Sequence, residues 1–311
     1  MKINKTQGYQ IIQNWMNEKG QKPFSFQEET WDLYAQNFSG LVVAPTGFGK
    51  TFSVFLAVIH DFLNHPEKVR TSRDLSKLQL LWITPLRSLS KDIAKAMQTS
   101  IDEIGLDWTV GVRNGDISAS EKQKQTKNMP EILVVTPESL HLLLAQKSKT
   151  KFFENLQCVA VDEWHELLSS KRGVMVELAL SHLRSISKNL KIWGLTATIG
   201  NLEEALEVLV PYETPKKIVL AKEKKKIEIL SVLPDELELL PWAGHMGSKM
   251  TEKILPIIDQ SKTTLIFTNT RNQAENWYQN LLAVNPDLAG QIAIHHSSID
   301  FELRNWIEDN L

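Results

Sequence analysis

The sequence predicts an α/β chain built on a parallel sheet flanked by helices, on three observations. Continuous apolar runs of strand length recur at Leu41-Val42-Val43-Ala44, Leu78 to Thr84, Ile132 to Thr136, Leu156 to Val161 and Ile192 to Leu195, the pattern of strands buried on both faces. Most of these runs break into a polar or Gly/Pro turn that opens a stretch of helical spacing. The 311 residues, 42% hydrophobic and 23% charged, have the composition of an ordinary globular chain of about two domains.

Taken in order, residues 3 to 19 place Tyr9, Ile11, Ile12, Trp15 and Met16 at helical spacing, and Gly20 is a stop. A second helix is expected from Glu28 to Asn37. The segment before it, Phe24-Ser25-Phe26-Gln27, offers an aromatic ring and an amide that carries both donor and acceptor. Gln27 is therefore a candidate reader of an adenine edge and Phe24 a candidate stacking partner; the plain alternative is a helix cap and core.

The stretch Leu41 to Phe52, LVVAPTGFGKTF, reads strand, glycine loop, helix, and it has phosphate-loop spacing. Backbone amides of Thr46, Gly47, Phe48 and Gly49 would converge on phosphate oxygens at a helix N-terminus. Lys50 would reach the β- and γ-phosphates of ATP, and the Thr51 hydroxyl would complete the coordination of Mg²⁺. A second strong signal closes another buried strand, at Asp162-Glu163-Trp164-His165. Asp162 is the candidate second metal ligand, and Glu163 the candidate base that orients and deprotonates the attacking water; a carboxylate on the metal is not free for that task. His165 is a candidate sensor of the nucleotide state.

Two weaker signals lie at other strand ends. Arg87, in the turn after Leu78 to Thr84, sits on the sheet edge where open α/β sheets bind ligands, although a single arginine is more often solvated. Thr196-Ala197-Thr198 puts two hydroxyls at a strand end, able to bond the acidic pair or simply to finish a strand.

A formal net charge of −2 removes any global pull toward nucleic acid, so such contacts must be local. The lone cysteine, Cys158, sits in an apolar run and reads as a small hydrophobe. With no disulfide framework, no signal peptide and no span-length apolar stretch, the expectation is a cytoplasmic protein with no membrane partner. Pro211, Pro215 and the charge run Lys222 to Lys226 mark a boundary, giving domains at 1–214 and 215–311. In the second, strands are expected at Ile227 to Val232, Thr264 to Arg271 and Ile292 to His296, with helices through Leu282 and from Phe301 to Leu311. Gly244 to Ser248 resembles a tag remnant but sits within a continuous pattern and reads as native.

Together FSFQ (24–27), APTGFGKT (44–51), TPLRSL (84–89), TPESLHLLL (136–144), VDEWHELLSSKRG (161–173) and GLTATIGNLEEA (194–205) resemble superfamily 2 helicases, and among them the Lhr (large helicase-related) group. PWAGHMG (241–247), LIFTNTRNQAENWYQ (265–279) and IAIHHSSIDFELRNWIEDNL (292–311) look most like its bacterial subgroup encoded beside a DNA ligase and a nuclease. The resemblance implies a phosphate-loop NTPase with a RecA-like first domain and an incomplete RecA-like second one. It implies an ATP-dependent motor that moves 3′ to 5′ on single-stranded or partly duplex DNA, with an RNA–DNA hybrid as a further candidate, and a role in DNA repair linked to a ligase and a nuclease. It assigns strand contacts to Arg87, Gly115, Thr136 and Arg271, coupling to His165, Thr196 and Thr198, and a strand or interface position to His296. Phe48 stands where such loops often carry a small residue. The chain stops before the motif that supplies an arginine finger, worth about 10³–10⁵ in turnover. The expectation is a truncated product that binds ATP and hydrolyses it poorly by itself.

Overall fold

The computed structural model describes residues 3–66, 77–197, 199–223, 227–233 and 250–311. They divide into two compact units, 1–225 and 226–311. Within the first, the elements in chain order are α1 (Gln7–Glu18), α2 (Ser25–Ala35), β1 (Ser39–Val43), α3 (Lys50–Asn64), β2 (Leu80–Ile83), α4 (Arg87–Ile104), β3 (Val110–Arg113), α5 (Ala119–Lys127), β4 (Ile132–Val135), α6 (Pro137–Leu144), β5 (Cys158–Val161), α7 (Trp164–Leu167), α8 (Lys171–Ile186), β6 (Lys191–Thr196), α9 (Leu202–Leu209) and β7 (Lys216–Leu220).

The seven strands form one sheet in the order β3-β4-β2-β5-β6-β1-β7, and every pairing is parallel. Strand residues alternate between two cores. Val42, Leu80, Trp82, Ile132, Val134, Cys158, Ala160, Trp193 and Leu195 face one core, which Phe55, Leu56 and Ile59 of α3 complete. Leu41, Leu81, Ile83, Leu133, Val135, Val159, Val161 and Ile192 face the other, against Leu140 and Leu143 of α6 and Val176, Ala179 and Leu180 of α8. A two-residue period with both faces covered produces the unbroken apolar runs seen in the sequence. Local chemistry starts the helices: the side chains of Thr6, Ser118, Ser170 and Asn201 each accept a first-turn amide, and Pro137 occupies the first turn of α6.

The expected division at 214/215 falls ahead of β7. That strand pairs with β1 from Ser39↔Lys216 to Val43↔Leu220, so the first unit runs past the prolines. The second unit contains α10 (Thr251–Gln260), α11 (Arg271–Val284) and α12 (Phe301–Asp309). The strands expected at Ile227 to Val232, Thr264 to Arg271 and Ile292 to His296 are not strands: their described residues join no ladder, and Ile229 and Phe267 are exposed. An apolar run becomes a strand only against a partner that takes its N–H and C=O groups. Residues 67–76, Thr198, Lys224 to Lys226 and the segment Pro241 to Ser248 lie outside the described residues.

Candidate functional site

All strands being parallel, their C-terminal ends share one edge, and the turns leaving that edge carry nearly every first-unit candidate. After β1, Gly47 (φ 85°) and Gly49 (φ 71°) take the left-handed backbone that the loop needs, and Gly49 directly precedes α3. Lys50 and Thr51 thus open the helix, where amides have no intrahelical acceptor. Lys50 is buried, and its Nζ donates to the Ala44 carbonyl at 3.0 Å.

Gln27 connects this loop to α2. Its Oε1 accepts from the Phe24 amide at 2.9 Å, closing the first turn, while its Nε2 donates to the Gly49 carbonyl at 3.0 Å. The cap reading is correct for one end of the amide, and the other end holds the glycine loop. Phe48, the large residue in the loop, packs back against the segment before α2. Its ring lies edge-on to Phe24, centroids 5.6 Å apart, and Phe24 stacks on Phe26 at 5.8 Å.

After β5, Asp162 and Glu163 diverge because Glu163 takes the left-handed region (φ 46°, ψ 48°) as it enters α7. Strained backbone of this kind persists where its surroundings enforce it. Asp162 is buried; its Oδ1 accepts the Glu163 amide at 3.0 Å and its Oδ2 faces Trp82 Nε1 at 3.4 Å. Burial, then the Glu163 charge, push the Asp162 carboxyl up to about 6, against the Trp82 and Glu163 hydrogen bonds and the Lys50 charge. Glu163 Oε2 lies 3.5 Å from His165 Nδ1, which is 3.1 Å from the hydroxyl of the fully buried Thr196 at the end of β6. Loop lysine, acidic pair, histidine and threonine therefore meet at the ends of β1, β5 and β6, adjacent strands in the order β5-β6-β1.

The donor set suits Mg²⁺. Asp162 is a desolvated carboxylate that gains from a cation, and the Thr51 hydroxyl opens the neighbouring helix. Among the described residues no three His, Cys, Asp or Glu side chains gather to hold a metal alone. An ion shared between two protein oxygens, phosphates and water is how Mg²⁺ is commonly bound.

Three strand-contact candidates occupy the other half of the edge, at the ends of β2, β3 and β4. Arg87 opens α4, with Nη1 donating to Asp116 at 3.3 Å. It lies flat over Gly115, where a Cβ would stand 2.8 Å from the guanidinium carbon; the glycine makes room for the arginine. Thr136 precedes α6, is buried, and donates to the Ser139 hydroxyl at 3.2 Å. In the second unit, Arg271 begins α11 and donates to the Ser297 and Ser298 hydroxyls, while His296 lies 3.4 Å from Glu275. Trp82 was not foreseen; its one signal is an indole in an otherwise aliphatic strand. Burial pushes the Cys158 thiol up to about 12, so it packs as a small hydrophobe.

A left-handed glycine loop with a buried lysine, facing an Asp-Glu pair across a parallel sheet, defines a phosphate-loop NTPase. The family profile of DEAD/DEAH box helicases matches residues 24–205, and the chain belongs to that family. A protein of Methanocaldococcus jannaschii named ATP-dependent helicase Lhr-Core is 34% identical over 284 residues, 87% of this chain and 32% of its own length. The Lhr helicase/uracil glycosylase of Escherichia coli is 29% identical over 84% of this chain and 19% of its own length. The solved structure of Mycobacterium smegmatis helicase Lhr, bound to ssDNA and AMP-PNP, superposes with a TM-score of 0.75 at 27% identity, over 97% of this chain and 40% of that one. This chain spans about a third of the length of the Lhr-Core relatives it matches. Among the described residues no helix is long and apolar enough to cross a membrane.

Proposed function

We propose that this chain is the nucleotide-binding core of an ATP-dependent DNA helicase or translocase, working 3′ to 5′ on single-stranded DNA in DNA repair. The observation that carries the reading is the continuity of the edge from Lys50 and Asp162 through Glu163 and His165 to Thr196. Lys50 exchanges the Ala44 carbonyl for phosphate oxygens. The amides of Thr46 through Gly49 cradle those phosphates, with the base against Phe24 and Gln27. Thr51 and Asp162 would hold Mg²⁺, which would supply positive charge to neutralise the phosphates. Glu163 accepts a proton from the attacking water, and its left-handed backbone turns it away from Asp162. His165 carries the state of Glu163 to Thr196, and Thr196 and Thr198 serve as the coupling pair. Arg87, Gly115, Thr136 and Arg271 touch the strand. The DNA assignment is supported by the ssDNA in the M. smegmatis Lhr structure. A single buried cysteine fits a reducing, cytoplasmic setting.

The test is steady-state ATP hydrolysis by the 311-residue chain, with and without single-stranded DNA, beside Lys50→Ala and Glu163→Gln. Lys50→Ala is expected to lose nucleotide binding. Glu163→Gln is expected to keep binding and lower turnover at least about 100-fold, the scale of a general base. If wild type binds ATP without turnover, the chain is a nucleotide-binding fragment and not a self-sufficient motor. If Glu163→Gln turns over like wild type, the assigned base is wrong.

A further inference from the structure

The acidic pair and the strand-facing half of the edge are joined by a feature that neither site uses. Arg172, in the first turn of α8, forms a two-pronged ion pair with Glu138, in the first turn of α6: Nε to Oε1 at 2.7 Å and Nη2 to Oε2 at 3.2 Å. Glu138 lies two residues past Thr136. Burial pushes its carboxyl up, and hydrogen bonds from Arg172 and its own backbone amide, with the Arg172 charge, more than reverse this, leaving it below the usual range. A second tie runs parallel, His141 Nε2 to the Met175 carbonyl at 2.6 Å. Beneath both, Leu140 and Leu143 share a core with Val176, Ala179 and Leu180.

The same N-terminal turn of α8 is tied back to α7, the short helix that follows the acidic pair. Between α7 and α8 the chain turns at Ser169 (φ 59°) and Ser170, whose hydroxyl donates to the Leu167 carbonyl at 2.6 Å and accepts the Gly173 amide at 3.1 Å. Gly173 presses so close that a Cβ there would stand 2.2 Å from the Leu167 oxygen. The chain from Glu163 through the elbow to Arg172, and across to Glu138 and Thr136, is one tightly connected body.

We propose that the Arg172–Glu138 pair is a positioning link that couples nucleotide occupancy at Asp162–Glu163 to strand binding at the N-terminus of α6. The inference rests on the reading above, that both ligands bind this edge. An exposed ion pair with only a structural role is worth about 0.2–1 kcal/mol and would leave the mutual influence of two ligands untouched. A positioning link alters that influence, which is measured as a ratio of affinities.

The experiment uses the full chain and a fluorescein-labelled oligo-dT, read by anisotropy with and without Mg²⁺ and AMP-PNP, with AMP-PNP affinity measured separately. Wild type is expected to bind the oligonucleotide about fivefold or more tightly when AMP-PNP is bound, a common allosteric ratio. Arg172→Ala and the isosteric Glu138→Gln are expected to keep each separate affinity within about twofold while the ratio falls below about 2. The reversed pair, Arg172→Glu with Glu138→Arg, is expected to restore it. Glu138→Gln retaining the wild-type ratio overturns the proposal, even if Arg172→Ala proves unstable. If wild type binds both ligands with no mutual effect, the link is overturned while the site reading stands. If it binds neither ligand, the site reading fails and the link with it.

Discussion

His60, in the second half of α3, shows how a single buried side chain contributes to the response to acid. It is buried, 2.7 Å from the Thr6 hydroxyl and 2.9 Å from Asn64 Nδ2, and burial lowers its pKa from 6.5 to about 4, against the raising influence of Asp61 and Asp32. Below 6.5 the unfolded chain takes up a proton that the folded chain refuses until about 4. The stability this neutral imidazole supplies is therefore complete above 6.5 and lost as pH falls through that window. Asp162, raised to about 6, works in the opposite direction over the same window, so the His60 contribution is read as a difference: between pH 7 and pH 5 wild type should lose on the order of 2 kcal/mol more in urea denaturation than His60→Gln does. Equal pH dependence in the two proteins would remove this account. Nothing in the sequence announces it, because one histidine in an apolar helix is silent about its burial. Lys50, Asp162 and Glu163 were legible because their spacing and flanking strands are themselves the signal. For Gln27 the sequence left two uses open, cap and ligand; the side chain reaches both the Phe24 amide and the Gly49 carbonyl.

At the scale of elements, the elbow between α7 and α8 makes a sharp demand. Gly173→Ala places a methyl against a backbone oxygen that has no way to rotate aside, and a cost of about 1–3 kcal/mol is expected from such overpacking. Gly200→Ala, with nothing within 4 Å of the added carbon, is the matched control and should leave the urea midpoint unchanged. Equal midpoints for the two variants would show that the elbow yields. The apolar runs announced the inner strands of the sheet. They missed β7 because an edge strand reads differently: Lys216 and Lys217 precede Ile218 and Val219 on a half-solvated border where Val219 alone is buried, after prolines that look like a boundary. The opposite error occurred at Thr264 to Arg271, where strand-forming residues have no ladder among the described residues. Propensity locates a candidate strand, and the partner decides it.

Across the whole chain, burial is distributed unevenly. The first unit encloses two cores, whereas the buried apolar residues described in the second are Met250, Leu281, Leu288 and Ile307. Native-state hydrogen exchange should therefore find the amides of β1, β5 and β6 protected by global unfolding, and those of α10, α11 and α12 exchanging about 10³-fold faster or more. A single cooperative protection level would contradict the division into two units. The sheet order, with β1 seated between β6 and β7, also has a consequence for the birth of the protein on the ribosome. The Ser39 hydroxyl accepts the amide of Ile192, 153 residues further along the chain. At roughly 5–20 residues per second, the strand leading into the glycine loop waits roughly ten to thirty seconds for its neighbours to be synthesised. Throughout that wait its apolar face is open to chaperones and to other nascent chains, so the first-made part of the nucleotide cradle is among the last to close.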